Sequence, residues 1–305
     1  MDPLINYERK GDFAELAVPK KWEQYTLDSL LKEYWKAPKK LVHEWRMNKS
    51  IFVNGKVPNW LATLNAGDRI LLPFFIEEEP EIEPTFHEID VLYEDDHVIV
   101  LNKPAGVDTH PSSHEQINSL INFVSFYCLS NAELRKVRHI HRLDKDTTGA
   151  ILFAKHAFVG SLLDKLLEER KVKRTYLALV QGHLKQKKGT IDQPIGRDRH
   201  HATRRRVSPT GQSAITHFQK LTYLPDKKMT LISCQLDTGR THQIRVHLAS
   251  IGHPLAGDTL YGGEPIFERQ ALHAYSLDFV HPITEEHIKV YAPFCDQPPI
   301  FPEME

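Results

Sequence analysis

The run His141-Arg142-Leu143-Asp144-Lys145-Asp146-Thr147-Thr148-Gly149 sets one carboxylate, Asp144, beside a guanidinium and inside a turn that ends on glycine. A carboxylate so placed can attack an electrophile or stabilise developing positive charge. Two other readings compete for these residues. Asp144-x-Asp146-x-Thr148-Gly149 imitates the opening of an EF-hand loop, but the closing position, which needs a bidentate glutamate, falls on Lys155, whose ammonium would repel calcium. A plain turn into the apolar strand Ala150-Ile151-Leu152-Phe153-Ala154, with Asp144 and Thr147 bonding nearby amides, would account for the stretch taken alone.

Other segments stand in fixed order around it: Leu101-Asn102-Lys103-Pro104-Ala105-Gly106, then Lys173-Arg174-Thr175-Tyr176-Leu177-Ala178-Leu179-Val180-Gln181-Gly182, then Thr238-Gly239-Arg240-Thr241-His242-Gln243-Ile244-Arg245-Val246-His247-Leu248, running on to Gly252-His253-Pro254-Leu255-Ala256-Gly257-Asp258 and Tyr261-Gly262. Together with His-Arg-Leu-Asp and its Thr-x-Gly turn, these four motifs resemble those of the RluA-type pseudouridine synthases, from about Asp90 to Tyr291. The chain departs from the family at Thr148, where serine is usual; the hydroxyl is kept and a methyl added. The resemblance implies that Asp144 is the catalytic carboxylate and that Arg245 is its guanidinium partner. It further implies that Tyr176 stacks on the target base and that Arg142 helps occupy the gap left by the extruded nucleotide.

Read from the residues, these positions are less decided. Strand Thr230 to Leu236 turns through Asp237-Thr238-Gly239-Arg240 into a helix expected to be capped by Thr241 and to end near Gly252. Ile244, Leu248 and Ile251 mark its buried face, so Arg245 borders that face and can reach a cleft or form a surface ion pair. Tyr176 lies among apolar strand residues and could equally be a core aromatic. Arg142 could equally contact phosphate or close a loop salt bridge.

Composition narrows the class. The 305 residues allow two domains, 41% of them are hydrophobic, and no apolar run approaches a membrane span of roughly 18 residues. The amino terminus lacks a basic start followed by an apolar block, so no secretory signal is expected and the cytoplasm is. Cys128, Cys234 and Cys295 contain no Cys-x-x-Cys pair and read as buried thiols. Among 18 histidines, His242 and His247 lack a zinc-protease spacing, and His200-His201 sits among arginines, so no metal is expected. No dinucleotide fingerprint or phosphate loop occurs, so no cofactor is expected either.

The net charge of −1 conceals an uneven distribution. From Lys20 to Leu72 ten basic residues, including Lys39, Lys40, Arg46 and Lys56, face five acidic ones, and Glu77, Glu78, Glu79, Glu81 and Glu83 then cancel the excess. A second cluster holds Arg197, Arg199, Arg204, Arg205 and Arg206, broken by Asp198. Phosphate contacts need such clusters, although a solvated loop would also carry them.

The elements that must position the chemistry follow. Leu27, Leu30, Leu31 and Tyr34 recur at helical spacing behind a Thr26 cap, and a second helix after Pro38 buries Leu41, Val42 and Trp45. Ile51 to Val57 is a strand entering an Asn54-Gly55 hairpin turn, and Gly67 to Leu72 is another. This order resembles the αL-type RNA-binding domain of a small-subunit ribosomal protein. Residues 1–76 are therefore read as a small α/β RNA-binding unit with an amino-terminal strand. Residues 77–84 are read as an acidic, proline-containing linker that cannot pack, and 85–305 as the catalytic domain. There, a strand over Tyr93 to Leu101 and helices over Asn118 to Leu129 and Phe158 to Arg170 suggest an α+β fold. The resemblance implies a central, mostly antiparallel mixed sheet with an active-site cleft.

The reading is an RNA pseudouridine synthase acting on structured RNA, ribosomal RNA before transfer RNA, without membrane or obligate protein partner. A binding-only ribosome-assembly factor on the same scaffold is the alternative, which intact Asp144, Tyr176 and Arg245 disfavour. A retaining glycosidase would need a second carboxylic acid that Asp146 has no motif to supply.

Overall fold

The computed structural model describes residues 4–113 and 115–302. The first of two main sheets belongs to the amino-terminal unit and runs β1-β2-β4-β3. In chain order this unit comprises β1 (Tyr7–Lys10), β2 (Phe13–Ala17), α1 (Leu27–Ser29), α2 (Lys39–Met47), β3 (Phe52–Val53) and β4 (Arg69–Leu72). Thr26 and Ser29 exchange side-chain and backbone hydrogen bonds as a capping box at α1, satisfying amides a helix start leaves open. The helix then widens, with Trp35 N–H reaching Leu30 O at 3.0 Å. Along α2 Val42 and Trp45 are buried and Leu41 half-buried, while Lys39, Lys40 and Arg46 are exposed. Asn54 and Gly55 both take positive φ, 52° and 75°, as a tight type I′ turn requires. The expected hairpin stops there. After Lys56 the chain departs, and β3 pairs with β4 instead.

Residues 77–84 contain no helix or strand, yet they pack, against expectation. Glu78 N–H donates to Leu134 O at 3.1 Å, Asn122 Nδ2 donates to Glu83 O at 2.8 Å, and Ile82 lies against the core.

The second sheet has ten strands. Its elements are β5 (Val91–Glu94), β6 (Val98–Lys103), α3 (Leu120–Ser130), β7 (Arg138–His139), β8 (Thr148–Ala154), α4 (Ala157–Glu168), β9 (Lys173–Gln181), β10 (Lys188–Asp192), the separate hairpin β11 (Ile195–Arg197) and β12 (Arg205–Val207), β13 (Ile215–Leu224), β14 (Met229–Leu236), α5 (Gln243–Ser250), β15 (Leu272–Val280) and β16 (His287–Tyr291). The order is β10-β13-β14-β9-β15-β8-β6-β5, with β16 on β15 and β7 on β8. Among the described residues only β15 and β8 pair in parallel, so the sheet is mixed, mostly antiparallel, and the fold α+β.

The strand expected over Tyr93 to Leu101 is two strands. Asp95 carboxylate accepts from the amides of His97 at 2.7 Å and Val98 at 2.8 Å, closing a turn between them. Every residue of β8 is buried, because both sheet faces are covered. Ile151 and Phe153 face α3 and α5 with Tyr176, Ala178, Ile232 and Leu272. Ala150, Leu152 and Ala154 face the other way, toward α4 and the amino-terminal unit. That second core is continuous: Trp35 meets Phe158 of α4 edge-on, Trp45 tilts against it and Phe74 stacks on it, with centroids 4.9–5.7 Å apart.

Candidate active site

Asp144 sits on the loop between β7 and β8, and the loop is held on several sides. Thr109 hydroxyl donates to Leu143 O at 3.0 Å and accepts from Leu143 N–H at 3.1 Å. Lys103, fully buried, directs its ammonium at the carbonyls of Pro104, Val107 and Lys145, at 2.7–2.8 Å. Burial pulls this lysine down to about 7, and the charges of Asp146, Asp144 and Asp108 oppose the shift. Three carbonyl acceptors call for three N–H donors, which only the protonated form has. Thr147 N–H closes the turn onto Asp144 O at 3.0 Å. Thr148 hydroxyl, the group kept where the family has serine, accepts from Arg269 Nη2 at 3.0 Å and meets His273 Nδ1 at 2.7 Å. Gly149 follows at φ 108°, and a Cβ there would lie 2.3 Å from Ala274 O.

Arg245 comes to Asp144 from α5. The helix starts differently from expectation: its N-cap is His242, in the left-handed region at φ 57°, rather than Thr241. Side-chain ties hold this entry. Gln243 Oε1 accepts from Thr238 hydroxyl at 2.8 Å and from Arg240 N–H at 3.0 Å, and Tyr261 hydroxyl meets His242 Nδ1 at 2.8 Å. Arg245 is buried, not a surface group, and its Nη1 donates to Asp144 Oδ2 at 3.1 Å. Its Nε and Nη2 donate to the two oxygens of Asp258 at 2.7 and 2.9 Å, and its face lies over the Tyr261 ring. Burial would lower the guanidinium's affinity for its proton, but the bonds to Asp258 and the charges of Asp144 and Asp258 outweigh it and raise it.

These groups line a cleft of about 1360 Å³. Tyr176, on β9, contributes a ring that is 4% exposed, and its hydroxyl has no hydrogen-bond partner among the described residues. Burial raises its pKa, the positive charge of Arg174 opposing the shift and the negative charge of Asp144 reinforcing it, so the phenol is protonated at neutral pH. Asp144, Tyr176, Arg245, Arg142 and Arg205 all face this one space.

Residues 97–250 match a family described as RNA pseudouridylate synthase, and residues 14–70 match the amino-terminal domain of the RluD ribosomal pseudouridine synthases. The chain belongs to the RNA pseudouridylate synthase family. It is 46% identical to the uncharacterized RNA pseudouridine synthase YhcT of Bacillus subtilis over 287 residues, 94% of this chain and 95% of that one. It is 38% identical to ribosomal large subunit pseudouridine synthase D of Vibrio cholerae, over 83% of this chain and 82% of that one. The structure of human RNA pseudouridylate synthase domain containing 1 superposes with a TM-score of 0.55 at 26% identity, covering 70% of this chain and 86% of that one. The enzyme is thus an RNA pseudouridine synthase, an isomerase.

The other sequence-predicted residues of the synthase distribute over two further places. Arg204 and Arg206 are exposed on and beside the β11–β12 hairpin, where Arg204 pairs with Asp198 at 2.8 Å. Lys39, Lys40, Arg46 and Lys56 lie on the amino-terminal unit, outside the cleft lining. Arg142 is exposed, with no ion pair among the described residues. Two thiols are buried, but Cys295 is exposed, a correction to the sequence reading. Among the described residues no group of metal-ligating side chains could hold an ion, and no helix is long and apolar enough to cross a membrane. Sequence reasoning assigned no role to Asp258, Lys103, Thr109, Arg174 or Arg269. Asp258, Lys103 and Arg174 stand inside quoted motifs, and a charged residue within a motif was the available signal.

Proposed function

We propose that the synthase modifies uridine in large-subunit ribosomal RNA, with Asp144 as its reactive carboxylate, Arg245 as the charge partner and Tyr176 as the ring beneath the extruded uracil. The ribosomal substrate is the one named for the Vibrio relative and for the family of the amino-terminal match. Such a substrate is consistent with work in the cytoplasm, where ribosomes assemble.

The reaction breaks the bond from C1′ to N1, turns the base and joins C5 to C1′, with the C5 proton lost and one proton taken up at N1, so atoms balance without a co-reactant. A carboxylate serves by attacking sugar or base, by taking a sugar proton, or by stabilising cationic character at C1′. Each role needs the ionised form, to which the guanidinium of Arg245 can donate. The observation that carries the reading is the 3.1 Å contact from Arg245 Nη1 to Asp144 Oδ2 in a cleft shared with Tyr176. A base reaches such a cleft only by leaving its stack, and an aromatic face supports it whatever its identity. Arg142 is free to enter the vacated space, and Arg204, Arg205, Arg206, Lys39, Lys40, Arg46 and Lys56 are suited to phosphates.

The test is tritium release from uridine-C5-labelled RNA taken from cells lacking the enzyme. Wild type should release tritium, while Asp144→Asn should release none yet fold and bind RNA normally. Release by the variant at the wild-type rate would remove Asp144 from the chemistry.

A further inference from the structure

Asp144 receives one nitrogen of Arg245, whereas Asp258 receives two. We infer that Asp258 is a positioning residue of the catalytic centre: it occupies the Nε–Nη2 edge of Arg245, so that Asp144 is held through Oδ2 alone and keeps Oδ1 for the substrate. The inference rests on the reading of Asp144 as the reactive carboxylate.

The site around Asp258 is built to hold it still. Its side chain is 1% exposed. The loop that carries it is bonded into the central sheet, through Gln181 N–H to Pro254 O at 2.9 Å, Ala256 N–H to Leu179 O at 2.9 Å and Ala271 N–H to Ala256 O at 2.8 Å. Gly263 N–H and Tyr261 N–H both return to Asp258 O, at 2.8 and 3.1 Å. The two glycines are required by crowding: a Cβ would lie 2.1 Å from Arg269 O at Gly257 and 2.1 Å from Leu255 O at Gly263. A carboxylate this fixed determines where the guanidinium can be.

Electrostatics gives the device a purpose. A guanidinium offers flat edges that grip a carboxylate through two parallel bonds, and a carboxylate gripped that way has both oxygens engaged. With one edge given to Asp258, Arg245 cannot swing that edge onto Asp144. Removing the charge of Asp258 would release the edge.

Steady-state tritium release from a defined labelled transcript tests this on the full chain. Asp258→Asn should lower kcat by about 100-fold, the cost of a misplaced catalytic contact, with KM for RNA within about threefold of wild type. Asp258→Glu, keeping the charge, should recover part of the loss. Because Asp258 works through Arg245, Asp258→Asn added to Arg245→Lys should slow the enzyme no further than Arg245→Lys alone. Wild-type kcat in Asp258→Asn would overturn the inference, as would multiplying effects in the double variant. So would a loss that follows melting temperature and RNA affinity and that Asp258→Glu fails to relieve. Asp144→Asn run alongside separates the two claims: its activity would sink the assignment of Asp144, whereas an inactive Asp144→Asn beside a fully active Asp258→Asn would sink only the role of Asp258.

Discussion

Tyr176 shows how one side chain can be read correctly in sequence and still change meaning in the structure. Its place in an apolar strand is what a core aromatic would have, and the ring is indeed buried, yet it also walls the cleft and its hydroxyl lacks a partner among the described residues. Burial keeps the phenol protonated, so at neutral pH it is no ready base. We expect Tyr176→Phe to keep the stacking ring, and with it KM, and to lower kcat by about tenfold or more through loss of the hydroxyl's part in proton transfer. Single-turnover rates on labelled RNA decide it, and unchanged turnover would reduce Tyr176 to a platform. Arg245 was half legible: helical spacing put it at the edge of a buried face. Its second carboxylate, Asp258, thirteen residues away beyond the helix end, was beyond any spacing rule.

At the scale of elements, what periodicity and turn chemistry encode was legible, and what pairing across the sheet decides was not. The apolar stripe of α2 and the Asn54-Gly55 turn are local signals. The partner of β3, the division between β5 and β6, and the parallel contact of β8 with β15 depend on strands far apart in the chain. That parallel contact sits directly behind the Asp144 loop, and Gly149 makes it possible: its α-carbon approaches Ala274 where no side chain fits. Gly149→Ala combines positive φ with a backbone clash, so we expect destabilisation of about 3 kcal/mol or more. Urea unfolding measures it, and a loss below about 1 kcal/mol, the scale of an ordinary substitution, would mean that the loop can retreat from β15 without cost.

For the whole molecule, the sequence suggested two bodies joined by an acidic linker, because composition changes abruptly at Glu77, but composition does not report what a core face touches. The amino-terminal unit is seated on the back of the catalytic sheet, so cutting the chain after residue 76 would bare Phe158 and the histidines beneath Phe74 and Phe75. Its contacts with RNA are better tested by substituting Lys39, Lys40, Arg46 and Lys56. The junction holds three buried imidazoles: His156 Nε2 and His97 Nδ1 are 2.8 Å apart, and His281 lies beside His97. His156 Nδ1 accepts from Val159 N–H, which fixes the proton on Nε2 and makes His97 the acceptor. His97 and His156 are buried with Lys155 and Arg135 near them, while burial lowers His281 and Asp95 and Glu286 favour its charged form. Burial, reinforced by Arg135, His281 and Lys155, lowers His156 from 6.5 to about 3. An unfolded histidine therefore binds its proton at a higher pH than the folded one, so stability is full above about pH 6.5 and falls as pH drops toward 3. At pH 5 the loss from His156 alone is about 2 kcal/mol. The ordinary carboxylate range lies below pH 5, but His139, His141 and His273 are lowered in the same direction and add to the slope above it. Comparison with His97→Gln isolates the share of His97, which burial also lowers, since glutamine still accepts from His156 and cannot become charged. Urea unfolding between pH 7.5 and 5 should be flatter for His97→Gln than for wild type; equal slopes would show that His97 takes up no proton on unfolding.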